Sequence, residues 1–272
     1  MQSARALENT PLVSVIITCF NNEKTIFKAI KSVTDQSYQN LQIIVVDDFS
    51  TDKSRDIVLK VSDPRCQLIS MSKNSGVSSA RNAGYRHATG EFVTQLDGDD
   101  YIHFEKIENE VRAAAEHKGA AVFSKFVVVH NGIQVFRFGD LFRSSSTISY
   151  LGILYRAEYI GRDWLIPRII LEEIDFDESR SLYEDWQFAI HVARKTDVFY
   201  IDTIGTYYVK SNGSLSAKPW KYHRAALNDI FSGHSSSKTG SRIFSFINRS
   251  QYLGKLITLI LNWTRIYKFF PD

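Results

Sequence analysis

Two β-branched runs, Val13-Ser14-Val15-Ile16-Ile17 and Gln42-Ile43-Ile44-Val45-Val46, constrain the fold more than any other feature of this chain. Both are apolar on the two faces a strand presents, so both need cover above and below. Each leads into a stretch with helical spacing. Glu23 to Gln36 places Ile26, Ala29, Ile30 and Val33 on one stripe, with Asn21 or Asn22 able to cap it, and Asp52 to Val61 follows the second run. Cys66 to Ser70 reads as a third strand. Val77 to Ala88 reads as a helix after the loop holding Gly76, and Glu91 to Leu96 as a strand that stops at Asp97. Apolar strands joined by helices predict an α/β fold with a mostly parallel sheet flanked by helices. Ligands in such sheets sit beyond the carboxyl ends of the strands. The residues to watch are therefore Thr18, Phe20 and Asn21, then Asp47 and Asp48, then Asp97 to Asp100.

After Tyr101 the alternation weakens. Phe104 to Lys118 has helical spacing. Val122 to His130 and Ile133 to Phe138 predict an antiparallel pair around Asn131-Gly132. Arg143 to Thr147 reads as a serine-rich loop, Leu182 to Ala193 as a helix, Val198 to Asp202 as a strand and Ser232 to Ser241 as a linker. The organisation that follows is a loose N-terminus (1–10), a main domain (11–217) and a basic helical C-terminal region (218–272). The domain divides into a mostly parallel half (11–101) and a smaller, antiparallel half (102–217).

Two cysteines, Cys19 and Cys66, in 272 residues leave no disulfide framework or zinc cluster and fit a reducing compartment. The first residues lack a signal-peptide layout. No stretch approaches the roughly 20 apolar residues of a membrane span. A cytoplasmic protein is expected.

Leu96-Asp97-Gly98-Asp99-Asp100 crowds three carboxylates at a strand end. Like charges this close call for something positive among them. Hard cations such as Mg²⁺ or Mn²⁺ take oxygen ligands and commonly keep phosphates as partners. A solvated acidic turn is the plain alternative. A calcium EF-hand is excluded, because its sixth position needs Gly and holds Ile102 when counted from Asp97.

Four segments in order resemble the family 2 inverting glycosyltransferases, which have the GT-A fold. They are Val13 to Asn21, Val45 to Asp52 (VVDDFSTD), Asn74 to Gly84 (NSGVSSARNAG) and Leu96 to Asp100. The resemblance implies a role for each matching position. Thr18, Phe20 and Asp48 line the base pocket, with Phe20 stacked on a uracil-like ring and Asp48 accepting from its imide. Glu23 helps at the rim. Arg81 points toward the nucleotide or serves as a structural ion pair. Asp97 contacts the ribose or supports the metal, and Asp99 binds Mn²⁺ or Mg²⁺ through the diphosphate. Asp47, Asn82 and Gly84 fit turn and packing roles. Phe49 stands where the family usually has Gly.

Inverting transfer needs a group that takes the acceptor's proton. Glu184-Asp185, in Leu182 to Trp186, is similar to the family's acidic pair at a helix start. Ser181 and Glu184 have the spacing of a capping box, which would occupy Glu184 and make Asp185 the better candidate base. Tyr207 to Ser216 resembles a late segment that often supplies a histidine to the metal. Ser211 stands at that position, next to Lys210, which can reach the diphosphate or lie on the surface. No Gln-x-x-Arg-Trp motif of processive synthases is present.

The expected activity is transfer of one sugar from a UDP-sugar to a glycan or lipid-linked saccharide in cell-surface polysaccharide synthesis. A non-catalytic scaffold of the same fold is the alternative. A nucleotidyltransferase or a dinucleotide oxidoreductase needs a glycine-rich loop after the first strand, and Ile17 to Asn22 has no glycine. From Lys218 to Asp272, nine Lys or Arg face only Asp229 and Asp272. Tyr252 to Phe270 can form a two-faced helix that lies on the inner face of an anionic membrane or packs on protein. The basic residues are spread among apolar ones, so nucleic acid is a poor partner.

Overall fold

The structure, a computed structural model, describes residues 10–138, 145–148, 153 and 161–210. The expected linker, Ser211 and the basic C-terminal helix lie outside the described residues.

The first sheet has strand order β3-β2-β1-β4-β9. Its members are β1 (Val13–Cys19), β2 (Leu41–Asp47), β3 (Cys66–Ser70), β4 (Phe92–Asp97) and the two-residue β9 (Ile166–Pro167). The first four run parallel, and β9 adds an antiparallel edge. Alternation along β1 decides what covers each face. Val13, Val15 and Ile17 share a core with Ile26, Ala29, Ile30 and Val33 of helix α1 (Ile26–Thr34) and Val58 of α2 (Ser54–Leu59). Ile16 points the other way, toward α3 (Val77–His87).

Gly84 sets how closely α3 approaches that face. A Cβ at Gly84 would lie 2.2 Å from Ile16 Cγ2 and 3.3 Å from Val46 Cγ2. Gly84→Ala should therefore lower stability by about 1–3 kcal/mol, the range for forcing an extra carbon into a filled core. Urea unfolding would measure it, and an unchanged midpoint would contradict the close packing.

The second sheet has order β5-β10-β6-β7, with β8 also pairing β10. Its strands are β5 (Tyr101–Ile102), β6 (Ala121–His130), β7 (Ile133–Phe138), β8 (Ser146–Ile148) and β10 (Val198–Lys210). Helix α4 (Lys106–Glu116) packs on it, and α5 (Glu184–Lys195) precedes β10. The expected β6–β7 hairpin is present. Asn131 and Gly132 both take positive φ (50° and 79°), as a two-residue turn matching strand twist requires. The central β6–β10 pair is parallel, whereas β5, β7 and β8 join antiparallel.

Several expected boundaries are corrected. Neither Asn21 nor Asn22 caps α1, whose N-cap is Thr25. The Asn22 side chain accepts from the Phe20 N–H within its own loop, and the Asn21 side chain accepts from the Thr51 N–H and so ties that loop to the one after β2. The end of the serine-rich stretch, Ser146 and Thr147, belongs to β8. Strand β10 does not stop at Asp202 but continues to Lys210 through register shifts around Ile204.

Candidate active site

The loops at the carboxyl ends of β1, β2 and β4 are stitched together by their own polar side chains. Asp47 accepts from the Ser50 N–H at 3.3 Å, which fixes the turn after β2. Asp48 is buried, and its two oxygens accept from the Ser75 and Gly76 N–H groups at 2.8 Å each. It thus holds the loop that starts α3. Between them, Phe49 sits exposed in the left-handed region at φ 66°. Glu23 accepts from the Lys53 N–H at 3.2 Å. Phe20 lies just past β1 with 43% of its surface exposed, free to present a ring face.

The acidic loop follows β4. Gly98 is required there, since a Cβ would come within 2.7 Å of the Thr18 carbonyl that its N–H donates to. Thr18 Oγ1 donates to Asp97 Oδ1 at 3.2 Å. Oxygens of Asp97, Asp99 and Asp100 lie within 4.8 Å of one another. An all-oxygen, all-anionic donor set of this kind fits Mg²⁺ or Mn²⁺ and does not favour softer ions.

The positive charge that such a cluster calls for comes from two guanidinium groups. Arg81 of α3, 1% exposed, pairs with Asp97 Oδ1 at 2.8 Å and with Glu184 Oε1 at 3.2 Å. Arg162 pairs with Asp97 Oδ2 at 3.2 Å and Asp100 Oδ2 at 2.9 Å. Burial alone would raise the Asp97 carboxyl, but Arg81 and Arg162 outweigh it and hold it well below the usual range. Asp99 and Asp100 go the other way. Burial raises both, with Asp97 adding to the shift, and Arg162 offsets it only in part.

Arg81 also reaches the start of α5. Helix α5 starts from Tyr183, which takes left-handed φ (59°), and the expected Ser181–Glu184 capping box does not form. Glu184 instead receives Arg81. Asp185 Oδ1 accepts from the Trp186 N–H at 2.7 Å, and Asp185 makes no ion pair among the described residues. The segment ahead of α5 is pinned to α3 by Asn82. Its amide donates to the Phe176 carbonyl and to Glu178, and its oxygen accepts from the Phe176 N–H at 2.9 Å. Phe176 stacks on Phe188 at 4.0 Å, and Tyr85 packs at 5.8 Å from each.

Thr18, Arg81, Asp97, Asp99, Glu184 and Asp185 thus gather around one charge network. Glu23 and Asp48 shape the loops beside it. Lys210 ends β10, exposed, one residue beyond Val209, whose N–H donates to Asp100 Oδ1 at 2.7 Å. Arg162 and its supports were not legible in the sequence. The Gln95 amide donates to the Arg162 carbonyl at 2.8 Å, and Tyr208 lies under its guanidinium. No spacing marks that segment. The one clue was the three-carboxylate cluster and its need for cations.

Residues 14–171 match the family model described as glycosyl transferase family 2. The chain belongs to that family. Similar curated proteins include two Escherichia coli enzymes named UDP-Glc:alpha-D-GlcNAc-diphosphoundecaprenol beta-1,3-glucosyltransferase. WfgD is 33% identical over 212 residues, covering 77% of this chain and 81% of its own length. WfaP is 29% identical over 216 residues, with 77% and 82% covered. Among solved structures, S. aureus TarS 1-349 in complex with UDP-GlcNAc superposes with a TM-score of 0.67 at 26% identity, over 76% of this chain and 61% of that one. This chain therefore spans about three fifths of the TarS fragment. The shared architecture is the GT-A fold expected for family 2. Among the described residues, no helix is long and apolar enough to cross a membrane.

Proposed function

We propose that this family 2 member is an inverting, metal-dependent transferase that moves one sugar from a UDP-sugar to a hydroxyl of a lipid-linked saccharide or related glycan. The observation that carries this reading is the Arg81 bridge. Arg81 joins Asp97, at the end of β4, to Glu184 at the start of α5, which lies 103 positions from Arg81 itself. A donor-side acidic loop and an acceptor-side acidic pair thereby share one site. The named specificity of WfaP and WfgD and the UDP-GlcNAc complex of TarS support UDP as the nucleotide and a lipid-linked acceptor.

In this reading Phe20 stacks on the uracil, and Asp48 and Thr18 shape the pocket beside it. Asp99, with Asp97, holds Mn²⁺ or Mg²⁺, which when bound neutralises charge on the departing diphosphate. Asp185 takes the proton of the acceptor hydroxyl as the new glycosidic C–O bond forms and the bond to the diphosphate breaks. Lys210 reaches toward the diphosphate. The basic C-terminal region meets the anionic membrane that carries the acceptor.

Thermal unfolding with UDP, dTDP, GDP and CDP, each with and without Mn²⁺, tests the donor site. A nucleotide at about 100 times its dissociation constant adds about 2.7 kcal/mol of stability. The expected result is a shift of several degrees with UDP that needs Mn²⁺. No shift with any nucleotide would favour a non-catalytic scaffold.

A further inference from the structure

Arg162 holds two carboxylates of the acidic loop at once, and contacts with Tyr208 aim it there. Its guanidinium carbon lies 4.3 Å from the Tyr208 ring centroid. The Tyr208 hydroxyl accepts the Arg162 backbone N–H at 2.5 Å and donates to Asp163 Oδ1 at 2.5 Å. With Arg81 on the other side, both oxygens of Asp97 already face a guanidinium. Asp100 is equally committed, one oxygen to Arg162 and one to the Val209 N–H. Asp99 alone of the three makes no ion pair among the described residues.

Mg²⁺ is usually held by one or two carboxylates together with substrate phosphates, not by a single carboxylate alone. As it stands, the loop offers one. Something must give way, and the two arginines differ in their freedom to do so. Arg81 is enclosed and tied to Glu184. The Arg162 side chain is 36% exposed, so it alone has an open route away from the loop.

We propose that Arg162 is the resident counter-ion of the acidic loop, that the divalent cation replaces it when the donor arrives, and that the freed guanidinium then pairs with the donor's diphosphate. The proposal rests on the metal-dependent reading above. Its charge logic is simple. Without donor, Arg162 joins Arg81 in offsetting the charge of the loop, and the loop does not take up metal on its own. With donor, the added negative charge of the diphosphate accommodates both the cation and Arg162. A planar guanidinium accepts that exchange readily, because its fork fits two phosphate oxygens as it fits two carboxylates. Cation and donor therefore bind as a coupled pair, each raising the affinity for the other by the same factor.

Free Mn²⁺ measured by electron paramagnetic resonance gives the test, with the full chain titrated with and without UDP. The wild type should bind Mn²⁺ weakly alone and at least tenfold more tightly with UDP. Arg162→Gln should bind Mn²⁺ alone at least tenfold more tightly than the wild type, and UDP should then add less. Arg162→Lys, which keeps the charge but not the fork, should fall between them. If Arg162→Gln binds Mn²⁺ no better than the wild type while UDP still promotes Mn²⁺ binding, the counter-ion role is wrong and the metal-dependent reading stands. If UDP never promotes Mn²⁺ binding, both are overturned. Should Arg162→Gln fail to fold, the Arg162 Nε–H resonance of the wild type decides. It should shift when Mg²⁺ and UDP are added together and not with Mg²⁺ alone, and an unmoved resonance would overturn the exchange.

Discussion

Asp185→Asn should lower the rate of sugar transfer by about 10²–10⁴-fold, the usual contribution of a general base, and should leave UDP and Mn²⁺ binding intact. The substitution preserves shape, and the oxygen that accepts the Trp186 N–H remains. What disappears is the basic carboxylate. Asp185 sits in the first turn of α5, where backbone N–H groups favour an anion. Glu184 competes for the role. Burial first, and then Asp185, raise its carboxyl despite Arg81, and a raised carboxyl makes a stronger base. Geometry opposes it, since one of its oxygens is committed to Arg81 at 3.2 Å. Glu184→Gln should therefore weaken the donor site and the fold together, by loosening Arg81. Steady-state kinetics on both variants, with UDP-dependent thermal shifts beside them, separates the two. Full turnover in Asp185→Asn with none in Glu184→Gln would transfer the base to Glu184.

The largest expected loss of stability belongs to Lys106→Met. Lys106 is fully buried, pairs with Glu110 at 2.6 Å and donates to the Asp163 carbonyl at 2.9 Å. Ser124 donates to the other Glu110 oxygen at 2.7 Å, and Thr206 and Tyr208 donate to Asp163. Burial works against the ammonium, but Glu110 and Asp163 outweigh it and raise its pKa. Removing Lys106 strands buried carboxylates, which costs about 3–5 kcal/mol. In a domain of this size that is roughly 6–20 °C in Tm. The deficit should depend on pH. Burial already pushes Glu110 up to about 7, with Lys106 offsetting part of the rise. A raised carboxyl contributes stability at low pH that is lost as pH rises through its folded value. Without Lys106 that value climbs further. The gap between variant and wild type should therefore be widest near pH 8 and narrow toward pH 5. Calorimetric scans across that range would show it, and a gap independent of pH would contradict buried charge as the cause.

The sequence reveals elements where one physical pattern dominates. β1 and β2 are apolar on both faces and were read nearly to the residue, as was the Asn131-Gly132 turn. Helix starts were read poorly. The side chains that looked like caps are used elsewhere, Asn22 to close its own loop and Asn21 to join the neighbouring one. β5 and β9, two residues each, are too short to have a period. β10 was cut short because polar Asp202 and Thr203 interrupt it where its register shifts. At the site, the carboxylates were visible because they cluster in sequence. Their cations were harder to place. Arg162 reaches Asp100 across 62 positions, from a segment with no repeating pattern.

Asn82 has a consequence for how such a protein can diversify. It fastens the irregular segment ahead of α5 directly onto α3, a helix of the first sheet, and Arg81 one position earlier fastens α5 itself. The position of Glu184 and Asp185 is thus referenced to α3 and the acidic loop beside it. Chimaeras between relatives should therefore take α3 and the segment from Phe176 to α5 from one parent, so that the acidic pair stays in register with the loop after β4.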